Sequence, residues 1–261
     1  MENVRKEKTP ALRRQEIMKI LNEREEVRVI DLSKLLDSSV VTIRKDLDEL
    51  EKEGMLERTH GGAIKNYRAQ QNLSFIDKKN VHQAQKKLIA QAAAKLVKDG
   101  ESIIINVGST SFYVAQELKN KQNLIVITNA LQVFNEIGFY RNITTFFLGG
   151  KFDAEMQLTY GDDTMEQLSK YKADKLFIGM DGVDLEAGAT SYNHIEDAIM
   201  RQMMEQAKEK ILVVDDSKIG KVTFAHIAPL SDFDAIVTNY CPQHENYYLQ
   251  MENMGLHVIT V

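Results

Sequence analysis

Ser38-Ser-Val-Val-Thr-Ile-Arg-Lys-Asp-Leu-Asp-Glu-Leu-Glu-Lys-Glu-Gly54 decides how the N-terminal part of the chain folds. Val40, Ile43, Leu47 and Leu50 recur at helical spacing and mark one apolar face. Thr42, Lys45, Asp48 and Glu49 fall on the opposite side, with Arg44 on the flank. Ser38 or Ser39 supplies a cap for the first turn, and Gly54 ends the helix. Hydroxyls and cations gather at the front of the helix and acids at the rear. A helix that offers its front to a phosphate-lined groove needs that polarity. A solvated surface helix shows the same pattern, so the flanks decide between the two. Upstream, Leu12, Ile17, Ile20 and Leu21 mark a first helix, Val27-Arg-Val29 a short extended link, and Ile30 to Leu36 a two-turn helix. Asp37-Ser38 is the turn between the short helix and the one quoted above. Downstream, Leu56 to Ile64 reads as a β-wing that turns at Gly61-Gly62 and carries Arg58 and His60. Residues 1–66 therefore read as an α+β winged helix-turn-helix. Its candidate DNA contacts are Ser39, Val41 and Arg44 toward bases, with Thr42, Lys45, Arg58 and His60 toward the backbone or adjacent groove.

The 261 residues suffice for two domains, and 43% hydrophobic with 27% charged residues is the balance of a globular protein with a real core. Cys241 is the single cysteine, so no intramolecular disulfide forms and a reducing, cytoplasmic setting is expected. No apolar stretch has the length of a membrane span or a secretion signal. The net charge of −5 does not itself advertise nucleic-acid binding. Residues 1–68 hold 15 Lys+Arg against 14 Asp+Glu, leaving 18 against 24 for the rest, so the case rests on placement. Arg5, Lys6, Lys8, Arg13 and Arg14 add a local basic cluster. Residues 67–84 are polar and without period, and read as a linker.

Residues 85–261 alternate helical patterns with short apolar runs. Ser102–Asn106, Leu124–Ile127, Thr144–Leu148, Lys175–Ile178, Ile211–Val214, Ala235–Thr238 and His257–Thr260 are the strands. Uninterrupted apolar strands separated by helices indicate an α/β domain, its mostly parallel sheet covered on both faces. Ligands of such sheets bind beyond the C-terminal strand ends. There the chain places Gly108-Ser109-Thr110, Thr128-Asn129, Gly149-Gly150-Lys151, Gly179-Met-Asp181-Gly182-Val-Asp184 and Asp215-Asp-Ser-Lys218. Gly108, Ser109 and Thr110 open a helix and offer N–H groups to an anion. Lys151 and Lys218 supply countercharge, and Asn129, Asp181 and Asp184 suit sugar hydroxyls. Thr128, Gly150 and Gly182 complete the candidate set. A phosphorylated polyol matches that inventory. His194 and Glu196 lack a further ligand at metal spacing, so no metal site is expected, and His82, His226 and His244 read as isolated. Met200, Met203 and Met204 read as packing of a helix on the sheet or on a partner subunit.

Thr42-Ile-Arg-Lys-Asp-Leu47, Leu50-Glu51, Gly54 and Arg58-Thr-His-Gly-Gly-Ala63, with Arg14-Gln-Glu-Ile17 before them, resemble the DNA-binding half of DeoR-family bacterial transcriptional regulators. Gly108-Ser-Thr110, Thr128-Asn129, Leu148-Gly-Gly150, Gly179-Met-Asp-Gly182, Gly188-Ala-Thr190 and Asp216-Ser-Lys218 resemble the other half. The likeness spans essentially the whole chain. It departs in Ser109, where the family usually has Thr, and in Lys45, where it usually has Arg. The resemblance implies a repressor of sugar metabolism that binds operator DNA as a dimer or tetramer. It further implies a sensor domain related in fold to sugar-phosphate isomerases, a phosphorylated sugar as effector, no cofactor and no catalytic residue. Two readings compete with it. One is an isomerase with a DNA-binding appendage, using Asp181, Asp184 and Glu196. Against it, Leu185 to Asn193 lacks the lysine those isomerases carry to stabilise an enediolate. The other is a sensor that acts through protein partners and uses its N-terminal module only for assembly.

Overall fold

The computed structural model describes residues 10–24, 26–52, 55–65, 75–192 and 196–261. The chain divides into two compact units, residues 1–73 and 74–261. The smaller runs α1 (Pro10–Arg24), β1 (Glu26–Arg28), α2 (Val29–Leu35), α3 (Val40–Lys52), β2 (Leu56–Thr59) and β3 (Gly62–Lys65). Its three strands pair antiparallel in the order β1-β3-β2. This is the winged helix-turn-helix that the spacing predicts. Ile17, Leu21, Leu32, Ile43, Leu47, Leu50, Leu56 and Ala63 form its core. The turn into α3 bends through Asp37 at φ 48°, and the Ser39 hydroxyl accepts the Thr42 N–H at 3.1 Å, capping the helix. The predicted stop at Gly54 lies outside the described residues.

Three details of this unit differ from the sequence reading. Val40 is 37% exposed, because the first residue of a helix has no preceding turn to pack beneath it. Asp46 takes a place on the buried face instead, held by the Arg13 guanidinium at 2.5 and 3.3 Å. Arg13 thus ties α1 to α3 and is no part of a free basic tail. Leu12 is exposed, so the buried stripe of α1 begins at Ile17. At the wing, a Cβ on Gly62 would lie 1.8 Å from the Val27 carbonyl oxygen, so only glycine lets β3 approach β1.

The larger unit is built on a parallel sheet in the order β15-β14-β12-β9-β4-β5-β6. These strands are β4 (Ser102–Ile105), β5 (Leu124–Thr128), β6 (Ile143–Phe147), β9 (Ala173–Ile178), β12 (Ala207–Val213), β14 (Ala235–Thr238) and β15 (His257–Thr260). Alternate residues enter two cores. Ile103, Ile105, Val126, Phe177, Ile211 and Val237 meet α5 (Gln83–Lys95), α6 (Ser109–Glu117) and α7 (Leu131–Ile137). Ile104, Ile127, Leu176, Ile178, Leu212 and Ile236 meet α8 (Asp162–Ser169), α9 (Asp197–Gln206) and α10 (Glu245–Asn253). Met200, Met203 and Met204 fill the second core. A hairpin of β7 (Lys151–Asp153) and β8 (Leu158–Tyr160), and a small sheet of β10 (Gly182–Asp184), β11 (Gly188–Ser191) and β13 (Ala225–Ala228), complete the unit.

The linker expected over 67–84 is shorter than the polarity of that stretch implied. Phe75–Asn80 is a helix, α4, and Phe75 packs edge-on against Phe112 with centroids 5.6 Å apart. That contact makes 75–84 part of the larger unit. Among the described residues, no helix is long and apolar enough to cross a membrane.

Candidate DNA interface and effector site

The outer side of α3 is built for a charged groove. Val41 is 75% exposed, and Ser39, Arg44 and Lys45 face solvent beside the half-buried Thr42. The Ser39 and Thr42 hydroxyls lie 2.8 Å apart. His60 is exposed at the tip of the wing. Arg58 differs. Its Nη1 donates to Asp48 at 2.6 Å and to the Arg44 carbonyl at 3.2 Å, while Nε donates to the Gly62 carbonyl at 3.1 Å. The guanidinium is consumed in clamping the wing to α3. In this DNA-free structure Arg58 braces the wing against α3.

In the larger unit the chain first builds β5 and β6 on one side of β4, then returns to lay β9 on the other. The crevice at that reversal is where ligands bind in open parallel sheets. The loops after β4 and β9 are joined there by Asn106. Its Oδ1 accepts the Gly179 N–H at 3.0 Å and the Ser111 hydroxyl at 2.7 Å. Gly108, Ser109 and Thr110 stand beside it at the start of α6, whose first-turn N–H groups have no carbonyl within the helix to bond.

Charges gather around the ends of β9 and β12. Lys78 Nζ lies 3.5 Å and Lys218 Nζ 3.9 Å from Asp181 Oδ1, and Oδ2 accepts the Tyr192 N–H. Lys86 is 4% exposed, and its ammonium donates to the carbonyls of Lys78 at 2.6 Å and Val81 at 2.7 Å. It faces Asp215 at 3.8 Å, too far for a hydrogen bond. Burial lowers the Lys86 pKa to about 8, against the opposing pull of Asp215. Burial would raise Asp215, but Lys218 and Lys86 outweigh it and hold the carboxyl below its ordinary range. Asp181 is likewise held low, Lys78 and Lys218 overcoming its burial. Lys78, Lys86 and Lys218 thus interleave with Asp181 and Asp215 in one cluster of charges at the ends of β9 and β12.

The DeoR-like helix-turn-helix domain model matches residues 13–69, and the DeoR C terminal sensor domain model matches residues 81–240. The chain belongs to the DeoR family. It is 34% identical over 230 residues to the HTH-type transcriptional regulator YulB of Bacillus subtilis (strain 168), covering 88% of each chain. It is 31% identical to the HTH-type transcriptional repressor GlcR of the same organism, over 87% of each. It is 33% identical to the lactose phosphotransferase system repressor of Staphylococcus epidermidis (strain ATCC 12228 / FDA PCI 1200), over 86% of this chain and 90% of the relative. This DeoR-family protein is a DNA-binding transcriptional regulator and not an enzyme.

The regulator's sensor domain does not bring together all the strand-end residues that the sequence singles out. The Thr128 hydroxyl donates to the Ile105 carbonyl and accepts the Ala130 N–H, fully buried, and so fixes the strand end. Asn129 donates to the Thr159 carbonyl at 2.8 Å and is buried. Gly150 packs against α8, where a Cβ would stand 2.1 Å from the Thr164 hydroxyl, and Lys151 projects from the β7 hairpin into solvent. Gly182 lets the Lys221 carbonyl approach, which a Cβ would meet at 2.5 Å. Asp184 accepts the N–H groups of Glu186 and Ala187 and shapes the β10–β11 turn. In this structure these six make the local contacts just described, and the Asn129 Oδ1 stays buried without a hydrogen-bond partner among the described residues. Gly108, Ser109, Thr110, Asp181 and Lys218 remain. Lys78 and Lys86, which join this charge cluster, lie outside the stretches the sequence singles out, and Asp215 stands in one of them without an assigned role. A signal for Lys86 exists: with Ile89, Ala90 and Ala93 it lies on the apolar stripe of α5.

Proposed function

We propose that this protein represses a carbohydrate-metabolism operon and is released or retuned by a phosphorylated sugar bound at the β4/β9 crevice. The observation that carries the effector reading is Lys86. Two of its three N–H groups are satisfied by backbone carbonyls, and the third faces Asp215 across a gap. Lys218 and the α6 N-terminus add the rest of an anion cradle. Asp181 and Asp215 are ionised acceptors suited to the hydroxyls of the same ligand. The name of one relative, the lactose phosphotransferase system repressor, supports a link to carbohydrate metabolism.

At the DNA, Ser39, Val41 and Arg44 read base edges and Thr42, Lys45 and His60 touch phosphates, with Arg58 holding the wing in register. A dimer or tetramer in the cytoplasm presents paired recognition helices to successive major grooves. The effector acts by binding the DNA-free state more tightly than the DNA-bound one, by about 1–3 kcal/mol. A thermal-shift panel of pentose and hexose phosphates tests the reading. A true effector at about 100 times its Kd stabilises by about 2.7 kcal/mol, and its dephosphorylated parent does not. A panel without any phosphate-dependent shift refutes it.

A further inference from the structure

The turn that follows β12 carries a second set of side chains beside those that face the crevice. Asp216 opens it, and one ligand atom each from Asp216, Cys241 and His244 lies within 4.8 Å of the other two. No metal site is legible around His194 and Glu196, but here Cys241-Pro-Gln-His244 has the short spacing of a local ligand pair, and the fold adds Asp216 from a separate strand end.

We propose that Asp216, Cys241 and His244 bind one divalent transition-metal ion of the zinc type. A thiolate, an imidazole and a carboxylate are the donors that a borderline-soft ion takes, and they disfavour magnesium and calcium. Tetrahedral zinc holds such donors about 3.5 Å apart, so closure asks about 1 Å of side-chain movement. All three side chains are partly exposed and able to make it. Among the described residues neither the thiol nor the imidazole has a hydrogen bond to lose. The backbone around them is already fixed. Asn239 Oδ1 accepts the Asp216 N–H at 2.9 Å and its Nδ2 donates to Asp216 Oδ1 at 2.8 Å, orienting the carboxylate as an outer-shell partner does. The Tyr248 hydroxyl accepts the Cys241 N–H at 3.1 Å and donates to the Asn239 carbonyl at 3.2 Å. His244 sits edge-on to Tyr247 and Tyr248. Three protein ligands leave a fourth position for water or an exchangeable ligand. A bound ion anchors the Asp216–Lys218 turn, which also presents Lys218 to Asp181. The site itself does not depend on the effector reading.

Cobalt is the probe. The full chain, stripped with a chelator, is titrated with Co²⁺ and followed for the thiolate-to-metal charge-transfer band in the near ultraviolet. Cys241 is the single cysteine, so the band reports on that side chain. The expected result is one ion per chain, displaced by Zn²⁺, with the band lost in Cys241→Ser. Zinc affinity falls at least about tenfold in Cys241→Ser, His244→Ala and Asp216→Asn, each still showing wild-type circular dichroism. Zinc also slows modification of Cys241 by a thiol reagent. Absence of the band, or zinc binding that survives the Cys241→Ser and His244→Ala substitutions, overturns the proposal.

Discussion

Lys86→Met separates the effector role of this lysine from its structural one. A charged lysine whose pKa falls from 10.5 to about 8 costs the folded state about 3 kcal/mol at neutral pH. Methionine is close in length and removes that cost. It also strips partners from the Lys78 and Val81 carbonyls, at about 1–3 kcal/mol each if they stay dry. Asp215 keeps Lys218 and the Ser217 N–H. The opposing contributions partly cancel, so stability changes by between a gain of about 1 and a loss of about 3 kcal/mol. Effector binding has no such compensation. It loses one charge-assisted contact, about 1.5–3 kcal/mol, or roughly 10- to 150-fold in Kd. Isothermal titration with the phosphosugar that gives the largest thermal shift measures this, with cooperative thermal unfolding as the control for folding. A folded Lys86→Met protein that binds the phosphosugar within about threefold of wild type refutes the assignment of the crevice.

Phosphosugar affinity also depends on pH. The folded pKa of Lys86 lies below its unfolded value, so the ammonium is lost from the folded protein as pH rises through about 8. Binding therefore weakens by up to about tenfold per pH unit above that point, stability rises over the same window, and Lys86→Met abolishes both trends. Arg44→Ala lowers the preference for operator over scrambled DNA by about 1–3 kcal/mol, read as a ratio of Kd values at fixed salt. Arg58→Ala costs about 1–2 kcal/mol of stability yet leaves the slope of log Kd against log salt unchanged, whereas loss of a phosphate contact lowers that slope by about one. Asp46→Ala breaks the buried ion pair with Arg13 and destabilises the DNA-binding unit by up to about 3–5 kcal/mol in denaturant titrations, and the Arg13→Leu/Asp46→Leu pair restores part of it.

Ile43, Leu47 and Leu50 disclose α3 because helical burial repeats within a few residues, and the uninterrupted strands Ile103–Ile105 and Ile211–Val213 disclose the parallel sheet for the same local reason. Asp46 was hidden because its partner, Arg13, lies 33 residues upstream. Strands of three or four residues such as Gly182–Asp184 are too short to show alternation. The strand-end rule pointed to Asp181 and Lys218, which the fold brings within 3.9 Å of each other, but it treated all ends alike. Only the strand order shows that β4 and β9 flank the reversal, whereas Lys151 stands exposed on a hairpin that pairs with the segment after β5. Lys86 escaped because it comes from a helix before the first strand, and the strand-end rule reads only the loops that follow strands.

The coupling of DNA and metabolite is measured most directly by fluorescence anisotropy of the full chain on DNA from upstream of its own gene, at fixed salt, with each phosphosugar present or absent. The account predicts sequence-specific binding that one phosphosugar weakens at least about fivefold and its dephosphorylated parent does not. DNA affinity that no phosphosugar changes, or that is equal for a scrambled fragment, contradicts it.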